Sequence, residues 1–176
     1  VPVVVKPGTP TAWLTQRMVQ DVVEAGVLPA GALSVICGSS AGLLDALTPF
    51  DVLSFTGSAE TAAVIRSHAA VAQRSVRVNI EADSLNSALL DPSATADSEA
   101  FKLFVAEVVR EMTVKSGQKC TAIRRAFVPR ALYDAAAEAI GAKLAKTTVG
   151  NPRNEAVRMG ALVSRAQFNS VREGLA

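Results

Sequence analysis

The chain has 176 residues, with Lys+Arg 18 against Asp+Glu 16, and a formal net charge of +2 excludes the basic stripe of a nucleic-acid binder. Hydrophobic residues at 49% and charged residues at 19% exclude a disordered chain and supply apolar surface for a core. No apolar run approaches the roughly 18 residues of a membrane span, and two Cys with one His make neither a disulfide framework nor a zinc set. The opening VPVVVKPGTP lacks the basic n-region and cleavage site of a signal peptide. The expectation is a soluble, cytoplasmic α/β chain with no nucleic-acid, membrane or metal partner.

The hydrophobic period switches between strand-like and helix-like along the chain, the pattern of βα units around a mostly parallel sheet. VPVVV (1–5) is rich in β-branched residues and reads as a strand buried on both faces. A helix is predicted over 11–25, capped by Thr9, with Pro10 in its first position and Gly26 as a left-handed terminator. Its inward stripe is expected at Leu14, Met18 and Val22, flanked by Val19 and Val23. A strand over 33–37, a short helix near 40–47 and a strand over 51–55 follow. Thr56-Gly57-Ser58 then turns into a helix over 59–72, and SVRVNI (75–80) alternates like a strand ending at Glu81.

The rhythm changes after Glu81, and the only candidate domain boundary is near 81–86. LNSALL (85–90) is a strand candidate and DPSATADSEA (91–100) a loop. Helix 101–114 carries Phe101, Phe104, Val105, Val108 and Met112 on one side, and KSGQKC breaks it. IRRAFV (123–128) is a strand, and 131–146 is an Ala-rich helix with Leu132, Ala136, Ile140 and Leu144 in register. The first strand has no turn before it and SRAQFNSVREGLA stops inside a helical pattern, so the sequence reads as part of a longer chain.

Cys120 is the sharpest candidate for chemistry. It lies between Lys119 and Thr121 where a helix gives way to a strand, and positive charge favours the reactive thiolate; a buried structural cysteine is the alternative. Cys37, inside an apolar strand, reads as core. Glu81 ends an apolar strand, where burial of a carboxylate is costly. It is either a general base beside a water or a strand-end residue facing solvent. Ser58 offers a hydroxyl and backbone N–H groups at a helix N-terminus, suited to phosphate oxygens or to an ordinary N-cap. Lys6 follows the first strand, where open α/β sheets meet their ligands. His68 reads as lying on a solvated helix face. Neither G-x-G-x-x-G nor the G-x-x-x-x-G-K-[ST] phosphate loop occurs.

Four segments in order, VVVKPGTPTA, LSFTGSAE, VNIEADSLN and SGQKCTAIRRAFV, resemble the aldehyde dehydrogenase superfamily, and the likeness continues through TTVGNPRNEAVRMGALVS. It is strongest to the bacterial CoA-linked semialdehyde dehydrogenases of aerobic benzoate and phenylacetate degradation, in which EADSLN replaces the commoner E-L-G-G-K-S. The resemblance implies that residues 1–82 are the second half of a Rossmann-like NAD(P)-binding domain. Residues 83–176 would then be the first half of the catalytic domain, both domains being three-layer with mostly parallel sheets.

By the same resemblance Cys120 matches the nucleophile, which forms a thiohemiacetal and then a thioester, and Glu81 the base that activates water to hydrolyse it. Their separation is slightly longer than usual in the family, and loop 91–100 takes up the difference. Lys6 matches the lysine at the adenosine ribose, Ser58 the residue at the pyrophosphate, and Gly57 a close backbone approach to the cofactor. Thr9 stands where NAD-preferring members often carry a glutamate, and a hydroxyl does not repel a 2′-phosphate, so NADP is the expected cofactor, with NAD as alternative. Glu81 favours hydrolysis over acyl transfer to CoA. The implied substrate is an aldehyde, a CoA-linked semialdehyde in particular, and the implied full-length state a homo-oligomer. The family's oxyanion asparagine falls before Val1 and its nicotinamide-ribose glutamate beyond Ala176. Losing one oxyanion donor costs roughly 3–4 kcal/mol, so these residues alone are expected to turn over poorly.

Overall fold

Three strand–helix–strand units follow one another in the computed structural model, which describes residues 1–175. In each unit the two strands pair in parallel, the arrangement the alternating periodicity predicts. Contacts divide the chain into two compact units, Val1–Ala82 and Asp83–Ala176.

In the first unit β1 (Val3–Val5) pairs with β2 (Leu33–Val35) across α1 (Ala12–Glu24). β3 (Val52–Gly57) pairs with β4 (Arg77–Ala82) across α2 (Ala59–Ser67) and α3 (Ala69–Ala72). The two pairs share no ladder among the described residues, so the single expected sheet is seen as separate pairs, each closed by its own crossover. α1 begins later than expected, because Thr9–Thr11 forms a 3₁₀ turn; Thr9 makes no side-chain cap, and its carbonyl accepts the Ala12 N–H instead. Gly26 does take the left-handed conformation, at φ 65°.

The inward stripe of α1 also differs from expectation. Ala12 is buried and Thr15, Val19 and Val22 are half-buried, whereas Leu14, Met18 and Val23 are exposed. The helix is rotated so that its smaller residues face β2, which lets helix and strand approach closely. Val3 and Val4 are likewise exposed rather than buried, because a two-stranded pair is covered by one helix only. The expected helix 59–72 breaks at His68, whose extended backbone (ψ 141°) separates α2 from α3. His68 Nδ1 accepts the Ala70 N–H at 3.2 Å and Nε2 lies 3.4 Å from Asp45, so this half-buried ring is a cap, not a residue on a solvated face.

In the second unit β5 (Ser87–Leu89) pairs with β6 (Arg125–Phe127) across α4 (Glu99–Thr113). α5 (Tyr133–Leu144) packs on α4, and α6 (Arg165–Gly174) follows with Ser164 Oγ capping it at the Gln167 N–H. Leu90, Phe101, Phe104, Val105, Val108 and Ala136 form the core, with Leu132 and Ile140 packed against it. The helix residues among these match the predicted apolar faces except for Met112, which is exposed, and Leu144, which is half-buried outside this cluster. Loop 91–98 is held by its own side chains. The Ser93 hydroxyl and N–H both donate to Asp91 and hold its carboxyl below the usual range, and Ser98 Oγ accepts the Phe101 N–H as the N-cap of α4. No helix among the described residues is long and apolar enough to cross a membrane.

One packing detail sets a sharp requirement. A Cβ built on Gly57 would lie 2.5 Å from Cζ of Phe55, which shares its face of β3 two residues earlier. Gly57→Ala is therefore expected to destabilise the fold by about 1–3 kcal/mol through overpacking. Thermal melting of Gly57→Ala, Phe55→Leu and the double variant checks this. The double variant should recover part of the loss, and strict additivity of the singles would refute the clash.

Candidate active site

Parallel strands deliver their carboxyl ends to loops, and the first unit places its candidates there. Lys6 follows β1, exposed, and its ammonium has no partner among the described residues. Thr9 is exposed in the next turn. Gly57 ends β3 and Ser58 caps α2. The register that pairs Thr56 with Glu81 and Gly57 with Ala82 sets Glu81 beside this turn on the neighbouring strand. The pairing thus brings Glu81, Gly57 and Ser58 together, while Lys6 and Thr9 belong to the other strand pair.

Glu81 is exposed: Ile80 and Ala82 turn inward and the alternation of β4 turns the carboxylate outward, so no burial penalty marks it. Its carboxylate makes no hydrogen bond or ion pair among the described residues. A Cβ on Gly57 would meet the Phe55 ring, so packing is one reason for a glycine at this position. Ser58 takes the cap reading. Its Oγ accepts the Thr61 N–H at 3.2 Å and lies 3.1 Å from Thr61 Oγ1, with Glu60 in the first turn of α2, where a carboxylate favours the helix dipole. Cys37 is exposed beyond the end of β2, with Sγ 3.7 Å from the Ala12 carbonyl, and so is not a core residue.

Cys120 lies in the second unit, exposed, on a turn of unusual conformation. After α4 ends, Lys115, Ser116 and Gly117 all take left-handed backbone angles, at φ 52°, 55° and 69°. For the two residues with a Cβ this costs roughly 1–2 kcal/mol each. Local bonds offset it. Ser116 Oγ donates to the Gly160 carbonyl at 2.7 Å, Gln118 Nε2 to the Lys115 carbonyl at 3.1 Å, and the Val163 N–H to Gln118 Oε1 at 2.9 Å. The sequence identifies KSGQKC as a helix breaker; the structure shows the break as a strained, side-chain-braced turn.

The positive charge expected beside the thiol is engaged elsewhere. Lys119 Nζ pairs with Glu111 Oε1 at 2.8 Å, both side chains mostly buried, so the ammonium anchors the turn to α4. The second Glu111 oxygen is buried without a partner. Sequence reading missed Glu111, although an acid flanked by Val108 and Met112 on the apolar side of a helix is a visible signal. It also missed Asn86, whose side-chain amide donates to the Cys120 carbonyl at 2.5 Å and the Ala122 carbonyl at 3.2 Å. Arg124 was missed too, with Nη2 donating to the Lys119 carbonyl at 3.2 Å. The arrangement presents an accessible thiol on a backbone fixed from beneath, suited to nucleophilic attack on an electrophilic carbon.

The pattern described as the aldehyde dehydrogenase family matches residues 2–176. The chain is 61% identical, over its whole length, to 34% of the 3,4-dehydroadipyl-CoA semialdehyde dehydrogenase of Aromatoleum evansii. It is 32% identical, over 98% of its length, to 34% of the 1-pyrroline-5-carboxylate dehydrogenase of Oceanobacillus iheyensis. The chain thus spans about a third of the length of the curated relatives it matches. A crystal structure of betaine aldehyde dehydrogenase from Staphylococcus aureus in complex with NAD+ superimposes on 99% of the chain and 34% of its own, with a TM-score of 0.85 at 23% identity, a likeness of fold. The α/β units, the turn that carries Cys120 and a family match running from residue 2 to 176 lead to one assignment: the chain belongs to the aldehyde dehydrogenase family.

Proposed function

We propose that this protein oxidises an aldehyde, a CoA-linked aliphatic semialdehyde in particular, to the carboxylic acid with NADP as hydride acceptor. The observation that carries the reading is an exposed Cys120 thiol on a turn whose backbone is fixed by side chains, within a chain of this family. Similarity to an enzyme named for a CoA-linked semialdehyde supports the substrate class. Residues 1–82 then serve as the second half of the cofactor domain and 83–176 as the first half of the catalytic domain, in a cytoplasmic homo-oligomer.

The chemistry follows from the residues. The Cys120 thiolate adds to the aldehyde carbonyl, giving a thiohemiacetal whose oxyanion the Cys120 N–H can receive. Loss of hydride from that carbon leaves a thioester on the sulfur, and bound NADP supplies the acceptor. Glu81 takes a proton from water, the hydroxide attacks the thioester, and the acid departs as the thiolate is restored. An outward-facing carboxylate without a competing partner suits that task better than a buried, paired one.

Lys6 and Thr9 fit the nucleotide. An ammonium with no acidic partner and a free hydroxyl, both beyond a strand's carboxyl end, suit a ribose bearing a 2′-phosphate. Ser58, with its hydroxyl engaged as a cap, meets a pyrophosphate through the α2 N-terminus. Comparison of kcat/KM for the two cofactors is expected to favour NADP by about tenfold, or ~1.4 kcal/mol; a preference for NAD refutes this assignment.

The role of Glu81 is tested by Glu81→Gln. Steady-state turnover is expected to fall about 100-fold, while a single turnover still releases one reduced cofactor per site and leaves an acyl group on Cys120, detectable as added mass on its peptide. Unchanged turnover would show that the base lies elsewhere, and release of the acyl group by added CoA at the parent rate would favour the acylating reaction.

A further inference from the structure

We propose that Asn86 and Arg124 are positioning residues for Cys120: they fix the two peptide planes flanking the nucleophile, and with them the direction of its thiol and of its N–H. The inference rests on the reading of Cys120 as nucleophile. Cys120 belongs to no strand or helix, so no ladder fixes its peptides. The plane before it carries the Lys119 carbonyl, which accepts from Arg124 Nη2 and from the Ala122 N–H, each at 3.2 Å. The plane after it carries the Cys120 carbonyl, which accepts from Asn86 Nδ2 at 2.5 Å.

The two residues are themselves tied together. The Asn86 carbonyl accepts the Arg124 N–H at 2.8 Å, and Arg124 Nε lies 3.4 Å from Ser84 Oγ. One short segment, Ser84 to Asn86, therefore grips the reactive turn through its side chains and its backbone. Among the described residues no peptide bond is cis, and in a trans peptide the N–H and carbonyl point in opposite directions. With the Lys119 carbonyl turned toward Arg124, the Cys120 N–H must face away, and it donates to no protein group among the described residues. A free N–H of fixed direction next to an exposed thiol is the geometry that an oxyanion formed on that thiol's adduct requires. A peptide plane free to rotate would spread both groups over many directions, and small misplacements at a reacting centre cost large factors in rate.

The test uses the full-length protein with Asn86→Ala, Asn86→Ser and Arg124→Ala, and Cys120→Ala as control. Measurements are kcat, the KM for NADP and the thermal midpoint. Asn86→Ala and Arg124→Ala are each expected to lower kcat about 10- to 100-fold while the NADP KM stays within about twofold. Asn86→Ser, with one donor in place of two, should recover part of the loss. Two results overturn the proposal: variants that turn over at the parent rate, or a kcat that falls only in step with the thermal midpoint and the NADP KM and gains nothing in Asn86→Ser. Should Asn86→Ala fail to fold, Arg124→Ala decides by the same criteria. An active Cys120→Ala enzyme removes the nucleophile reading and this inference together. An inactive one beside unaffected Asn86 and Arg124 variants removes this inference alone.

Discussion

A reactive side chain on a turn has no ladder beneath it, and that constraint organises the second half of this chain. The turn that carries Cys120 leaves α4 through three consecutive left-handed residues, an arrangement L-amino acids adopt only when their surroundings impose it. The surroundings are identifiable. Glu111 on α4 holds the Lys119 ammonium, Gly160 and Val163 hold Ser116 and Gln118, and the segment before β5 holds the carbonyls at 120 and 122. Each bond is modest in water, of order 1 kcal/mol. Their value lies in number and direction, because together they leave the backbone one conformation while the thiol stays exposed.

The first half solves a related problem by different means. There the strands carry the precision, and parallel pairing sets what lies beside what: Thr56 against Glu81 and Gly57 against Ala82 bring an outward carboxylate next to a helix N-terminus. The loops beyond the strands leave charges and hydroxyls unpaired, as at Lys6 and Thr9, where an incoming ligand can use them. Exposure of Glu81 thus fits its proposed task for a reason opposite to the one its sequence context suggests. A base that must meet water needs access, and the alternation of β4 supplies it.

How much of this was legible in the sequence follows from the range of the interactions. Periodicity found each strand–helix–strand unit, and the core faces of α4 and α5 came out in register, because amphipathic spacing is a local record of burial. Gly26 was legible because a glycine just past a helical pattern is itself a local terminator signal. The break at His68 was not, since an imidazole is a rare cap and its second nitrogen meets Asp45, far away in sequence. The rotation of α1 was hidden because apolar residues lie nearly all round it, so spacing could not distinguish Leu14 and Met18 from the Ala12, Val19 and Val22 stripe. Cys120 and Glu81 were found through their segments' resemblance to a family. Asn86 acts across 34 and 36 positions, which no short window contains, whereas Glu111 and Arg124 reach Lys119 from 8 and 5 positions away and lay within reach of a local reading.

The motif EADSLN repays comparison with the commoner E-L-G-G-K-S. Asp83 stands where the commoner motif has its first glycine, and its φ of 55° lies in the region where glycine pays no steric penalty. Aspartate is among the few other residues that enter this region readily. The exchange gives up some native comfort and removes some freedom from the unfolded chain, two effects of opposite sign and similar size. Ser84 stands at the second glycine, and only a side chain there can meet Arg124 Nε. Asn86 stands at the serine and brings two donors where a hydroxyl brings one, enough to reach both the Cys120 and Ala122 carbonyls. Together Asp83, Ser84 and Asn86 give this segment a stiffer backbone than glycines would and side-chain donors directed at the turn. The stiffness is directed at a single place, the backbone on either side of the nucleophile.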